Sequence, residues 1–247
     1  MPPERILILG GTGDALGLAQ PLINAGFHPV TSLAGVTVSP HLPAGEVRRG
    51  GFGGEAGLAQ YIGSENIRAI IDATHPFAAQ ISRHAHGAAQ ATGIPYLRLE
   101  RPPWLAEAAD RWIEVANILK AVAALPGGAR PFVTIGRKEI APFFARTDLE
   151  GVARMIEAPG VSVPAGWTVI QARPPFQVES EIQLLDTYRV THVVSKNSGG
   201  ELTRAKLFAA RERNVPVVMV ARPHKPRATL FATVEALIPA LGRMLSP

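Results

Sequence analysis

The chain has 247 residues, 47 % of them apolar, enough to bury one large core or two smaller ones. It has no cysteine, which excludes disulfides, thiolate metal sites and a cysteine nucleophile. The net charge of +5 and pI of about 10.0 invite a nucleic-acid reading, yet the basic residues form no long run and aromatics are only 6 %.

Instead the cations recur beside Pro and Gly, at Arg101-Pro102-Pro103, Gly136-Arg137-Lys138, Arg173-Pro174-Pro175, Ser195-Lys196 and Arg222-Pro223. That placement suits a polyanionic small molecule better than a nucleic-acid backbone. No apolar run reaches membrane-spanning length, and the start, MPPERILILGG, lacks a basic stretch ahead of a cleavable apolar region. A cytoplasmic protein with neither nucleic-acid nor membrane partner is expected, with a monomer as the working expectation. Of the seven histidines only His84 and His86 are close together, and on a helix they point to different faces, so no metal site is expected.

The first element is ILILGGTG, Ile6 to Gly13: an unbroken apolar run for a buried parallel strand, then glycines that let the backbone turn. Ala15, Leu18, Ala19, Leu22 and Ile23 follow at the spacing of one helix face, and Gly26 suits a left-handed cap. Strand, glycine turn and helix N-terminus together offer free N–H groups and a positive dipole end to a phosphate. The glycines at 11, 13 and 17 sit one residue off the G-x-G-x-x-G pattern, and a merely tight turn is the alternative. The second strand, Phe27 to Leu33, carries no Asp or Glu near its end to hold ribose hydroxyls. Ser32, Thr37 and Ser39 are neutral there and tilt the reading from NAD toward NADP.

Gly50-Gly51-Phe52-Gly53-Gly54 follows a third strand; it either approaches a cofactor, with Phe52 against a ring, or is a surface loop. Ile67 to Ala73 predicts a buried strand, and THPFAAQISRHAHGAAQATG a helix with Pro76 in its first turn and Gly93 at its end. His75 there is an acid, a hydrogen-bond donor or only a helix cap. Strands at Pro95 to Glu100 and Trp112 to Val115 precede a helix from Asn117 to Leu125. Pro126 to Pro131, PGGARP, then reads as a linker.

The pattern restarts with PFVTIG, Pro131 to Gly136. Strands are predicted at Val152 to Ile156, Val169 to Ala172, His192 to Ser195 and Val215 to Ala221, with helices at Glu179 to Tyr188 and Glu201 to Arg213. The fold class is therefore α/β, two domains with parallel sheets, residues 1–125 and 126–247, with the site in a cleft between them. VVSKNSGG, Val193 to Gly200, repeats the logic of strand, small-residue turn and helix start, with Lys196 adding a cation: an anion site, or a capped helix with a solvated lysine.

Taken in order, GGTGDALGLA, DATHPFAAQIS, RPPW, TIGRKE, ARPPF, SKNSGG and VPVVMVARP resemble the precorrin-6A reductase family of cobalamin biosynthesis across nearly the full length. The resemblance implies two Rossmann-like domains and NADPH-dependent reduction of one double bond of the precorrin-6A macrocycle to give precorrin-6B. It further implies that Gly11, Thr12, Gly13 and Asp14 hold the NADP phosphates and that Ser39, Phe52 and Thr74 line the cofactor. Arg137, Lys138, Ser195, Lys196, Asn197 and Ser198 would bind carboxylates of the tetrapyrrole, and His75 is the candidate polar group near the transfer. Two rivals stand beside it: the anaerobic counterpart acting on the cobalt-containing macrocycle, and a non-catalytic NADP-binding or nucleic-acid-associated module.

Overall fold

The protein is described from a computed structural model over residues 2–33 and 42–246. In chain order the first elements are β1 (Arg5–Leu9), α1 (Gly13–Asn24), β2 (His28–Leu33), β3 (Glu46–Arg49), α2 (Gly54–Ser64), β4 (Ile67–Asp72), α3 (Ala79–Thr92) and β5 (Tyr96–Leu99). Next come β6 (Trp112–Val115), α4 (Ile118–Ala123), β7 (Pro131–Val133), α5 (Ala141–Phe144), β8 (Gly151–Met155), β9 (Trp167–Gln171), α6 (Val178–Thr187), β10 (His192–Lys196), α7 (Ala205–Glu212) and β11 (Val217–Val220). The chain closes with β12 (Thr229–Phe231) and α8 (Val234–Leu245). Single 3₁₀ turns occupy Arg137–Glu139 and Glu201–Thr203.

The elements form two units, each with a six-stranded sheet whose strand pairs are all parallel. The first sheet runs β12-β5-β4-β1-β2-β3 and the second β6-β11-β10-β7-β8-β9. The first is the doubly wound Rossmann order; the second repeats it over five strands, β11-β10-β7-β8-β9, and takes β6, the first strand of that unit, at the edge where the first sheet has its last strand, β12. In each the direction of winding reverses at a central strand, β1 or β7. In the first unit alternation along β1 sends Ile6 and Ile8 into a cluster with Leu18 and Leu22 of α1, and Leu7 and Leu9 into one with Leu58 of α2 and Ala85 of α3. Both faces are covered, which is why these strands read as continuous apolar runs. In the second unit Phe132, Val152, Val193, Val217 and Met219 pack with Leu185 of α6 and Leu207 of α7.

The expected boundary at 125/126 moves. Residues Met1–Pro102 and His224–Pro247 make one unit and Pro103–Pro223 the other. The strand Trp112–Val115 pairs with Val217–Val220, so it belongs to the second sheet, and PGGARP is a loop inside that unit. The tail returns to the first unit because β12 extends the sheet beside β5 and α8 buries Leu237 and Leu241 against Ile6, Ile8 and Leu18. Each such leucine contributes about 1.5–3 kcal/mol of apolar burial. Thr233 as a cap and the Leu237, Ala240, Leu241 face mark α8 locally, but the three-residue edge strand has no local signal and nothing local says which sheet it joins.

Candidate active site

Each sheet offers a site at the carboxyl ends of the strands flanking its reversal point, β1 and β4 in the first unit and β7 and β10 in the second. In the first unit the chain leaves β1 through Gly10 and Gly11, the latter at φ 106°, a conformation that favours glycine. Thr12 caps α1: its hydroxyl oxygen accepts from the Ala15 amide at 3.1 Å and its O–H donates to the Ala73 carbonyl at 2.8 Å. One side chain thus ties the start of α1 to the end of β4. A Cβ placed at Gly11, Gly13 or Gly17 meets nothing within 4 Å, so the turn leaves open space in front of the α1 N-terminus. Asp14 is engaged otherwise than expected, since a carboxylate repels phosphate. It pairs with Arg101 at 2.7 Å and so carries a cation to the first turn of α1.

At the end of β4, Asp72 is fully buried and accepts from the Thr74 amide (3.1 Å), the Thr74 hydroxyl (2.6 Å), the Ser82 hydroxyl (2.6 Å) and the Tyr96 hydroxyl (2.7 Å). Burial pushes this carboxyl up, but the Lys225 cation and these hydrogen bonds outweigh it and hold it below the usual carboxylate range. The Thr74 O–H is therefore donated inward to Asp72. The turn that follows displaces the predicted helix start: Ala78 donates to the His75 carbonyl at 2.8 Å, and α3 begins only at Ala79, leaving Pro76 ahead of it. His75 Nδ1 accepts from the Phe77 amide at 3.2 Å, which assigns the proton of a neutral ring to Nε2.

At the ends of β2 and β3, Arg48 donates to the Ser32 hydroxyl (3.0 Å) and to the carbonyls of Gly50 (3.0 Å) and Gly51 (3.1 Å). Its guanidinium lies 3.8 Å from the centre of the Phe52 ring, which in turn meets Tyr61 edge-on at 5.2 Å. Phe52 is thus a platform for a cation. Ser39, expected to line a cofactor, and Thr37 lie outside the described residues.

The second unit is built differently. After β10 no helix starts at once: α7 begins at Ala205, behind the 3₁₀ turn, and Gly199 and Gly200 take φ 67° and 83°. The loop is instead stapled. Asn197 accepts from the Trp104 amide (2.8 Å) and donates to its carbonyl (3.0 Å), while Trp104 Nε1 donates to the Gly200 carbonyl (3.1 Å). Arg222 donates to the carbonyls of Asn197 (2.9 Å) and Ser198 (3.2 Å). Ser195 is buried and its hydroxyl donates to the Lys196 carbonyl at 3.2 Å. Ser195 and the Asn197 amide therefore help to build the loop. Cations remain at its surface: Lys196 pairs with Glu139, Arg137 with Glu157 at 3.2 Å, and Lys138 is exposed with no ion pair to a described residue.

The family model described as Precorrin-6x reductase CbiJ/CobK matches residues 5–242. The chain belongs to this family. It is 46 % identical to a precorrin-6A reductase of Rhodococcus erythropolis over 91 % of this chain and 92 % of that protein, and 43 % identical to one of Rhodobacter capsulatus over 95 % and 94 %. A cobalt-precorrin-6A reductase of Priestia megaterium is 30 % identical over 96 % and 97 %. A solved structure, CobK precorrin-6A reductase, superposes with a TM-score of 0.92 at 41 % identity, covering 98 % of each chain.

As a precorrin-6x reductase the chain is an oxidoreductase of cobalamin biosynthesis with two Rossmann-like units. The sequence pattern does not single out Arg48, Lys225 or Asp72 as the centre of its hydrogen-bonded cluster. A signal for Lys225 is present, since Lys225-Pro226 repeats the cation-beside-proline pattern of Arg101-Pro102. Among the described residues no helix is long and apolar enough to cross a membrane.

Proposed function

We propose that this chain reduces one carbon–carbon double bond of precorrin-6A to give precorrin-6B, with NADPH as the reductant, in the cytoplasm. The first unit fits the cofactor: the space before α1 is one that a Cβ at Gly11 or Gly13 would fill, and the Thr12 cap leaves early N–H groups of that helix for the pyrophosphate. When bound, NADPH supplies the hydride; the second added hydrogen arrives as a proton.

The observation that carries NADPH over NADH is Arg48. The end of β2 offers no carboxylate for a ribose 2′-hydroxyl; it offers a guanidinium already oriented by Ser32, Gly50, Gly51 and the Phe52 ring. Three of its five N–H donors are used by these acceptors, which leaves two for a 2′-phosphate. Preorganisation lowers the entropy that binding must overcome. On the second unit Arg137, Lys138 and Lys196 supply cations for the acetate and propionate groups of the macrocycle, and the stapled loop keeps Lys196 in place. His75 presents an Nε2–H at the strand ends, where it serves as a hydrogen-bond or proton donor. The metal-free substrate is favoured by the higher identity to precorrin-6A reductases than to the cobalt-specific relative.

The test is a comparison of NADPH oxidation with precorrin-6A and with its cobalt form, alongside Arg48→Ala. Losing a charge-assisted phosphate contact should weaken NADPH binding about 10- to 100-fold with little change for NADH. Equal losses for both cofactors would remove Arg48 from the 2′-phosphate.

A further inference from the structure

We propose that Lys225 is a positioning residue for the reduction, a buried cation that fixes the His75 turn at the carboxyl edge of the first sheet; this rests on the reading of His75 and NADPH given above. Lys225 lies where the chain comes back into the first unit, between β11 and β12. Its side chain is 5 % exposed, and its Nζ donates to Glu100 Oε2 at 3.1 Å and to the His75 carbonyl at 3.4 Å. Glu100 follows directly on β5 and His75 follows β4, so one ammonium joins the exits of two adjacent strands.

The surroundings hold that ammonium in one place. Lys225 precedes Pro226, which restricts its backbone to extended conformations. The Pro226 carbonyl accepts from Arg98 Nη2 at 2.9 Å, bolting the returning segment to β5. On the other side the turn is held by Asp72 through the Thr74 amide and hydroxyl. The His75 segment is thus gripped twice, by a carboxylate at Thr74 and by a cation at the His75 carbonyl. A nearly buried ammonium is costly unless it is paired and hydrogen-bonded, and Glu100 and the His75 carbonyl are its partners here.

Because Ala73 accepts from Thr12 and β1 pairs with β4 through Leu9 and Asp72, this turn shares its edge with the glycine loop. A shift of His75 there changes the alignment of the reacting groups, not the affinity of the phosphate cradle. Lys225 therefore acts on turnover through His75, and Glu100 holds it for that task.

Lys225→Met keeps the stem and removes the charge. Its kcat should fall about tenfold or more, as misplacement of a reacting group does, while the Kd for NADPH stays within about threefold of wild type. Lys225→Arg should restore at least about half of the kcat, since it supplies the same charge to Glu100. In a His75→Gln background Lys225→Met should cost less than about twofold, because coupled residues are not additive. Glu100→Gln, a milder change for the case that Lys225→Met is not recovered folded, should lower kcat about threefold and lose that effect beside His75→Gln. Unchanged kcat in Lys225→Met or in Glu100→Gln, or full additivity with His75→Gln, overturns the role. Failure of the wild type to bind NADPH would sink the cofactor reading and this one with it, and the direct titration separates that result from a failure of Lys225 alone.

Discussion

The two units share the order of five strands, and the proposed site uses their carboxyl ends for different anions. In the first, β1 ends in a glycine turn and runs straight into a twelve-residue helix, so ligand recognition falls to backbone N–H groups and open space. In the second, β7 and β10 end in loops that lead to three-residue 3₁₀ turns rather than directly into a helix, and these loops carry Arg137, Lys138 and Lys196, the cations proposed for the substrate. A helix N-terminus suits a compact phosphate close to the backbone. Carboxylates spread around a macrocycle need cations with reach, and long side chains provide it. The same topology therefore does not imply the same ligand.

That contrast breaks most sharply at Gly13. A valine there fills the space in front of α1, so Gly13→Val should weaken NADPH binding by more than about 100-fold, while circular dichroism and melting of the protein stay near wild type. Retained NADPH affinity in a fluorescence titration would place the phosphates elsewhere. A smaller effect is expected from Lys196→Ala. Its loss should raise the substrate KM about tenfold, with NADPH affinity intact, because the cation belongs to the second unit alone. An unchanged KM would assign Lys196 to its pair with Glu139 and nothing more.

The smallest effect is one of pH and belongs to the second unit. Lys206, on α7, is buried, with its Nζ 4.9 Å from the Trp104 ring centre, and burial together with the Arg154 charge brings its pKa down to about 7. The unfolded chain binds this proton up to a pKa near 10.5, so between pH 7 and 10.5 the unfolded state carries more protons than the folded one. Stability from this group should rise with pH across that window. Lys206→Met should flatten the rise in melting temperature between pH 7 and 9, and a slope equal to wild type would show that the ammonium stays charged.

Much of the first unit was legible in the sequence. Ile6 to Leu9 read as a buried strand, and Gly11 and Thr12 carry turn and cap in their own chemistry, so the predicted strand, turn and helix start coincide with the observed ones. The second site was half legible. The cations of TIGRKE and SKNSGG stand out, but nothing local shows that Asn197 spends its amide on the backbone of Trp104, ninety-three residues away. His75 stands out as a histidine; Lys225 is 150 residues later, and a cation beside proline does not by itself show which carbonyl it will reach.

The sequence by itself determined the α/β class, the parallel sheets and the glycine turn, because these follow from period, apolar runs and turn residues that act within a few positions. Tertiary structure decided the rest. Which sheet receives Trp112–Val115, and that Thr229–Phe231 returns to the first, depends on which edge has unpaired backbone and which core has room for α8. Likewise only burial and the chain's path decide that Asp72 gathers Thr74, Ser82 and Tyr96, that Lys225 meets Glu100, and that Arg48 finds Ser32 and two carbonyls at another strand end.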